Sequence, residues 1–192
     1  MQMHMMENEG TPGGKKFSFW SRKAKDYTHL YGSGFEDDNS SLTRFLKDAF
    51  DPGVSNIILD GEMITWDPKE DMMVPFGTLK TAAKIQQNNP YSGEWRPLYR
   101  VFDILYLNGL DLTNYTLRDR RTALQRSVRD VHRRIEVHSY TEAEQVSEIE
   151  PMLRKVVAEA SEGLVIKSPR SPYRLNQRND DWIKVKASTL KS

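Results

Sequence analysis

Asn56-Ile57-Ile58-Leu59-Asp60-Gly61-Glu62-Met63-Ile64-Thr65-Trp66 is a run rich in isoleucine, broken by two carboxylates around a glycine. Its β-branched and aromatic content predicts a strand. A second run, Leu98-Tyr99-Arg100-Val101-Phe102-Asp103-Ile104-Leu105-Tyr106-Leu107-Asn108, predicts another and closes on an Asn108-Gly109 turn. Outward from these two, residues 1–6 and 15–21 alternate apolar with polar, Phe17 and Phe19 falling on one face. Residues 7–14 between them, with Pro12, Gly13 and Gly14, predict a hairpin with a long loop. Residues 72–74, 135–140, 162–168 and 181–186 read as further strands. Helical spacing occurs at 39–50, 78–87, 116–131 and 141–160. Thr116 with Asp119, and Thr141 with Glu144, offer capping boxes for the last two. Strands and helices mix without regular βαβ alternation. The expected fold class is therefore α+β, antiparallel sheets with flanking helices.

Composition narrows the function classes. The chain has 192 residues, 28 Lys+Arg against 27 Asp+Glu, and no cysteine. Disulfides, thiolate zinc sites and a cysteine nucleophile are excluded. A near-neutral balance demands no polyanionic partner, so any such partner rests on local patches. No apolar run approaches the length of a membrane span, and residues 1–14 lack the basic flank and apolar stretch of a secretory signal.

Several constellations could carry chemistry. In Asp181-Trp182-Ile183-Lys184-Val185-Lys186, strand alternation puts Trp182, Lys184 and Lys186 on one face. Two ammonium groups there repel unless an anion such as a phosphate chain lies between them; taken alone, a solvated outer face is the simpler reading. Asp60 and Glu62 share a face within an apolar strand, an arrangement suited to a buried pair or a metal, or to an edge strand in water. Glu162-Gly163-Leu164-Val165-Ile166-Lys167 places a carboxylate and an amine at the ends of a strand. A common site for Glu162 and Lys167 requires a twist or bulge near Gly163. Phe102 is either a core residue or a platform for a base. Residues 116–134 carry Arg118, Arg120, Arg121, Arg126, Arg129, Arg133 and Arg134, a density that fits a nucleic-acid-facing helix or a solvated one. The four histidines have no metal spacing and receive no role.

The order of these pieces is more telling than any one of them. Ser21-Arg22, Leu59-Asp60-Gly61-Glu62, Val101-Phe102-Asp103-Ile104-Leu105, Glu162 to Lys167 and Trp182 to Lys186 together resemble the collinear motifs of ATP-dependent DNA ligases. Those enzymes are covalent nucleotidyltransferases. The likeness is strongest to the fungal end-joining branch, the DNA ligase IV type. It spans residues 1–188 as one adenylation (nucleotidyltransferase) domain, with 189–192 as a tail. The resemblance implies ATP and Mg2+ as cofactors, nicked or broken double-stranded DNA as substrate, and a nuclear role in double-strand break repair by non-homologous end joining. A coiled-coil scaffold would bind through regions outside this sequence, and no membrane is involved.

By the same resemblance, Glu62 contacts the ribose or a metal, Phe102 stacks on adenine and Glu162 helps bind the metal. Lys167, Lys184 and Lys186 hold the phosphates, the last two as catalytic residues, and Arg22 contacts nucleotide or nicked DNA. The family's nucleophile lies in a Lys-x-Asp-Gly-x-Arg motif that this sequence lacks, its Asp60-Gly61 being preceded by Ile58-Leu59. The chain is therefore expected to be an N-terminally truncated fragment that does not adenylylate itself. Two alternatives stay open: an mRNA-capping guanylyltransferase or RNA ligase of the same superfamily, and a non-catalytic nucleotide- or DNA-binding remnant.

Overall fold

The computed structural model describes residues 1–75, 77–159, 161–175 and 180–188. The main sheet contains β1 (Gln2–Glu7), β2 (Lys15–Trp20), β3 (Asn56–Asp67), β4 (Met72–Val74), β5 (Arg96–Leu107), β6 (Leu110–Asp111) and β7 (Ile135–Val137). Its order is β2-β1-β3-β5-β6, with β4 on β3 and β7 on β5. Among these pairings all are antiparallel except β5 with β7. A separate hairpin sheet pairs β8 (Gly163–Lys167) with β9 (Trp182–Lys186). Among the described residues four α-helices flank the sheets: α1 (Thr28–Tyr31), α2 (Leu79–Asn88), α3 (Leu117–Ser127) and α4 (Ile149–Ala158). The α+β architecture is thus the one the sequence predicts.

The long strands form where expected, and their period of two decides what they bury. Met3 and Met5, Phe17 and Phe19, Ile57 and Leu59, and Tyr99 and Val101 face one core, against which Leu124 of α3 and Tyr31 of α1 pack. Beyond Met63 the sheet's other face carries a second buried cluster, Ile64, Trp66 and Leu98, against which Met73 packs. Gly61 sits where the backbones crowd: a Cβ there would collide with the Arg100 carbonyl oxygen and the Tyr99 ring.

Three predicted elements differ. Residues 39–50 hold a 3-10 turn, Thr43–Phe45, in place of a helix. The hydroxyls of Ser40, Ser41 and Thr43 donate to the carbonyls of Tyr31, Leu30 and Gly34, an alternative that outcompetes helical pairing. Helix α3 begins as predicted, with Thr116 Oγ1 accepting from the Asp119 amide at 3.2 Å. It ends at Ser127 because Val128 turns extended and bridges Phe50. The last helix starts at Ile149, not near 141. The capping box that forms, between Gln145 and Glu148, belongs to the 3-10 turn Val146–Glu148 that leads into it. The tail at 189–192 lies outside the described residues.

Candidate functional site

The chemistry-bearing side chains gather where β5 departs from regular pairing. Gly61 opposes Val101, yet Asp60 opposes Asp103, so Phe102 is an extra residue in β5. Such a bulge bends the strand and re-aims its side chains. Phe102, instead of joining the core, meets the amine of Lys167 from the hairpin, with Nζ 4.3 Å from the ring centroid. The same amine lies 3.9 Å from the centroid of Trp182, the residue opposite Lys167 in the β8–β9 register. Burial brings Lys167 down to about 8, opposed by the carboxylates of Asp103 and Asp60.

Asp60 is largely buried beside this cluster. Burial pushes its carboxyl up, while the Tyr173 hydroxyl, donating at 2.7 Å to Oδ2, pulls the other way. Asp103 is fully buried and accepts from Arg120 Nε and Nη2 at 2.8 and 3.0 Å. The remaining Arg120 nitrogen, Nη1, donates to the carbonyls of Tyr115 and Ser171. Arg120 therefore fixes the segment that carries Tyr173 to β5. Next to it, Arg121 donates to the carbonyls of Phe102 and His138, clamping β5 to the end of β7.

Glu162 precedes β8 and accepts from Lys184 Nζ at 2.8 Å, both side chains half in water. The positive φ of Gly163 makes this crossing feasible, and a Cβ there would collide with the Val185 carbonyl oxygen. That hydrogen bond, with Lys184 and Lys186 as nearby charges, holds the Glu162 carboxyl below its ordinary range. Lys186 is exposed opposite Gly163, and alternation puts it on the hairpin face of Lys167, Trp182 and Lys184. Glu62 is exposed on β3, two residues from Asp60 and opposite Arg100. Arg22 is exposed in the turn after β2, beyond the cross-strand row Trp20, Gln2, Asp60, Asp103. Among the described residues the side chains of Glu62 and Arg22 make no hydrogen bond or ion pair. The structure thus unites Phe102 and Lys167, and separately Glu162 and Lys184, while Glu62, Lys186 and Arg22 stand in water.

The arginine-dense segment does not form one outward face. Arg120, Arg121 and Arg134 are buried. Arg129 pairs with Asp51, and Arg133 with Asp71 and Glu136. Arg134 lies 3.6 Å over the Phe45 ring and donates to Gln86, and burial brings its guanidinium down to about 9. Sequence reasoning also gave no place to Tyr173, and none to Arg120 as a structural cation.

Among the described residues no three carboxylate or imidazole groups converge as a protein-made metal cage.

A mixed, largely antiparallel sheet with flanking helices and a separate β8–β9 hairpin is the architecture of the nucleotidyltransferase fold. The chain belongs to the ATP-dependent DNA ligase domain family, whose model matches residues 9–186. It is 66% identical over 97% of its length to DNA ligase 4 of Aspergillus oryzae, of which it covers 18%. DNA ligase 4 of Aspergillus fumigatus is 67% identical over 97% of the chain, which covers 19% of that protein. DNA ligase 4 of Yarrowia lipolytica is 44% identical over 97% of the chain, and 20% of it is covered. Among solved structures, mycobacterial DNA ligase D complexed with ATP and MES superposes with a TM-score of 0.60 at 20% identity. That match covers 97% of this chain and 51% of the other, and shows a shared fold. Among the described residues no helix is long and apolar enough to cross a membrane.

Proposed function

We propose that this chain is the nucleotide-holding part of an ATP-dependent DNA ligase of the end-joining type, acting on broken or nicked double-stranded DNA in the nucleus. The observation that carries this is the amine of Lys167 beside the bulged ring of Phe102, within a chain of the ligase family. In this reading Phe102 is the platform for adenine, since a ring face turned out of the core offers stacking area to a base. Lys167, Lys184 and Lys186, on one hairpin face, supply positive charge along the triphosphate. Glu62 binds the ribose or, with Glu162, a magnesium ion that neutralises phosphate charge. Arg22 contacts nucleotide or DNA. Scaffold proteins of the end-joining type engage other regions.

The family reaction transfers AMP from ATP to an enzyme lysine with release of pyrophosphate, then to a DNA 5′-phosphate with release of the lysine, and ends when a 3′-hydroxyl displaces AMP and seals the strand. The first of these steps needs an activated amine at the α-phosphate, and the Lys-x-Asp-Gly-x-Arg motif that supplies it is not in this sequence. That observation favours a second, narrower reading for the chain by itself: it binds nucleotide without covalent chemistry.

Equilibrium binding of ATP and GTP to the 192-residue chain, alongside Phe102→Ala, tests the assignment. ATP is expected to bind more tightly than GTP, and loss of the ring to weaken ATP by about tenfold or more. An unchanged affinity in Phe102→Ala, or a preference for GTP, would remove the ATP-ligase reading.

A further inference from the structure

Of the five buried side-chain donors that lack an acceptor among the described residues, three gather around one indole: Trp66 Nε1 itself, Arg96 Nε and Arg133 Nε. Arg96 stands opposite Trp66 in the β3–β5 register, on the same sheet face. The guanidinium carbon of Arg133 lies 3.9 Å from the Trp66 ring centroid. That of Arg100, which stands opposite Glu62 and Glu136, lies 5.8 Å from it. The indole is buried, whereas Arg96, Arg100 and Arg133 are half-buried and meet solvent.

Charge around this indole is unevenly answered. Arg133 has Asp71 3.4 Å from its Nε, and Glu136, which also accepts from its amide at 3.0 Å. It is held at a φ of +54°, a left-handed conformation that a long side chain seldom adopts. The side chains of Arg96 and Arg100 make no hydrogen bond or ion pair among the described residues. Arg134 adds a fourth guanidinium whose partners are Gln86, the Pro90 carbonyl and the Phe45 ring, with no carboxylate. Burial, and then the charge of Arg96, bring it down to about 9. By contrast, Lys15 and Arg129 at the hollow beside Phe35 and Phe50 are already paired, with Glu7 and Asp51.

We propose that Trp66, Arg96, Arg100 and Arg133 form a second anion site, which takes a phosphate group and is separate from Phe102 and Lys167. A buried donor without an acceptor is costly, and a charged oxygen is its strongest partner. Phosphate fits better than carboxylate. Three guanidiniums and an indole offer more N–H groups than two carboxylate oxygens accept, and phosphate adds both oxygens and charge. Carboxylates are already at hand in Asp71 and Glu136, and they form ion pairs only with Arg133. The site lies on the sheet face of Glu62, four residues or ~13 Å further along β3. Free phosphate and the backbone of DNA present the same group to it.

The test titrates inorganic phosphate, a blunt-ended DNA duplex and, at matched ionic strength, sodium chloride separately into the isotope-labelled 192-residue chain. The Trp66 indole N–H resonance, assigned by its disappearance in Trp66→Phe, is expected to move downfield with phosphate or DNA and to stay in place with chloride. No movement with either, or an equal movement with chloride, overturns the proposal. Movement with DNA assigns the site to backbone phosphates, and movement with inorganic phosphate alone assigns it to a free anion; both results support it. Arg96→Gln breaks no bond within the chain, and it is expected to weaken the responding ligand about tenfold. Where DNA responds, the slope of log affinity against log salt is expected to fall by about 1. An unchanged affinity in Arg96→Gln overturns the proposal. Lys167→Ala is expected to keep the Trp66 response. Its loss there would place the response at the nucleotide site and overturn the second one, whereas the titration of the unaltered chain stands whether or not a variant folds.

Discussion

Arg120 donates to both carboxylate oxygens of Asp103, and neither side chain has any exposure to solvent. The pair joins α3 to the bulged stretch of β5. Removing one partner leaves a buried, uncompensated charge, which costs about 3–5 kcal/mol. Arg120→Met is therefore expected to lower the melting temperature by roughly 10 °C. Replacing both residues with apolar ones of similar volume is expected to recover part of that loss. Thermal unfolding followed by circular dichroism checks both, and a single variant as stable as the parent chain would contradict the assignment.

Asp60 makes stability pH-dependent with an unusual sign. Burial raises its carboxyl in the folded chain, so the folded form holds the proton more tightly than the unfolded one. Its stabilising contribution is complete below the unfolded value, ~4, and is lost as pH rises through the folded value. Asp60→Asn keeps an acceptor for Tyr173 and removes the ionisation. The variant is expected to gain stability over the parent at pH 7 but not at pH 3. An equal difference at the two pH values would refute this.

Lys167 works in the opposite direction. Its folded value is about 8 against 10.5 in the open chain. Its contribution is complete above the unfolded value and lost as pH falls through the folded one. Lys167→Met is expected to be the more stable protein at pH 7, with the advantage shrinking as pH rises from 8 toward 10.5. Melting curves across that range decide it; a constant gap means the amine is not held in an unfavourable place.

Gly163→Ala is expected to unfasten the hairpin without unfolding the main sheet. Its backbone has positive φ and a Cβ would strike the Val185 carbonyl. Limited trypsin digestion should cut within residues 162–188 sooner than in the parent chain, with fragments of the main sheet persisting. Identical digestion patterns would show that the hairpin tolerates the methyl group.

The chain alone should not become adenylylated. After incubation with labelled ATP and magnesium, then denaturation, no label is expected on the protein. A labelled band that disappears in Lys184→Ala would instead identify a substitute nucleophile.

The two central strands were legible because β-branched residues and period two say the same thing locally. Their register was not. Val101-Phe102-Asp103-Ile104-Leu105 reads as an unbroken apolar run with one acid, and the extra residue shows only when β3 lies beside it. The helix expected at 39–50 failed because its serine and threonine hydroxyls found distant carbonyls. The resemblance named Phe102 and Lys167 as nucleotide-binding residues, and the structure brings those two side chains together; strand alternation put Trp182 on the face of Lys184 and Lys186. Tyr173 could not be linked to Asp60, since their contact joins points 113 residues apart in sequence. Arg120 was readable in retrospect. With Arg121, Leu124 and Ser127 it lies on the inward stripe of α3, and a cation on such a stripe calls for a buried acid.

The clamp formed by Arg121 grips β5 and the end of β7 through the main-chain carbonyls of Phe102 and His138. An anchor made of peptide oxygens is indifferent to the side chain that hangs from it. Position 138, level with the platform ring and half in solvent, can therefore be rewritten with other donors, acceptors or bulk while the strand remains fastened. It is a natural handle for changing the chemistry beside Phe102 without disturbing the strand pairing.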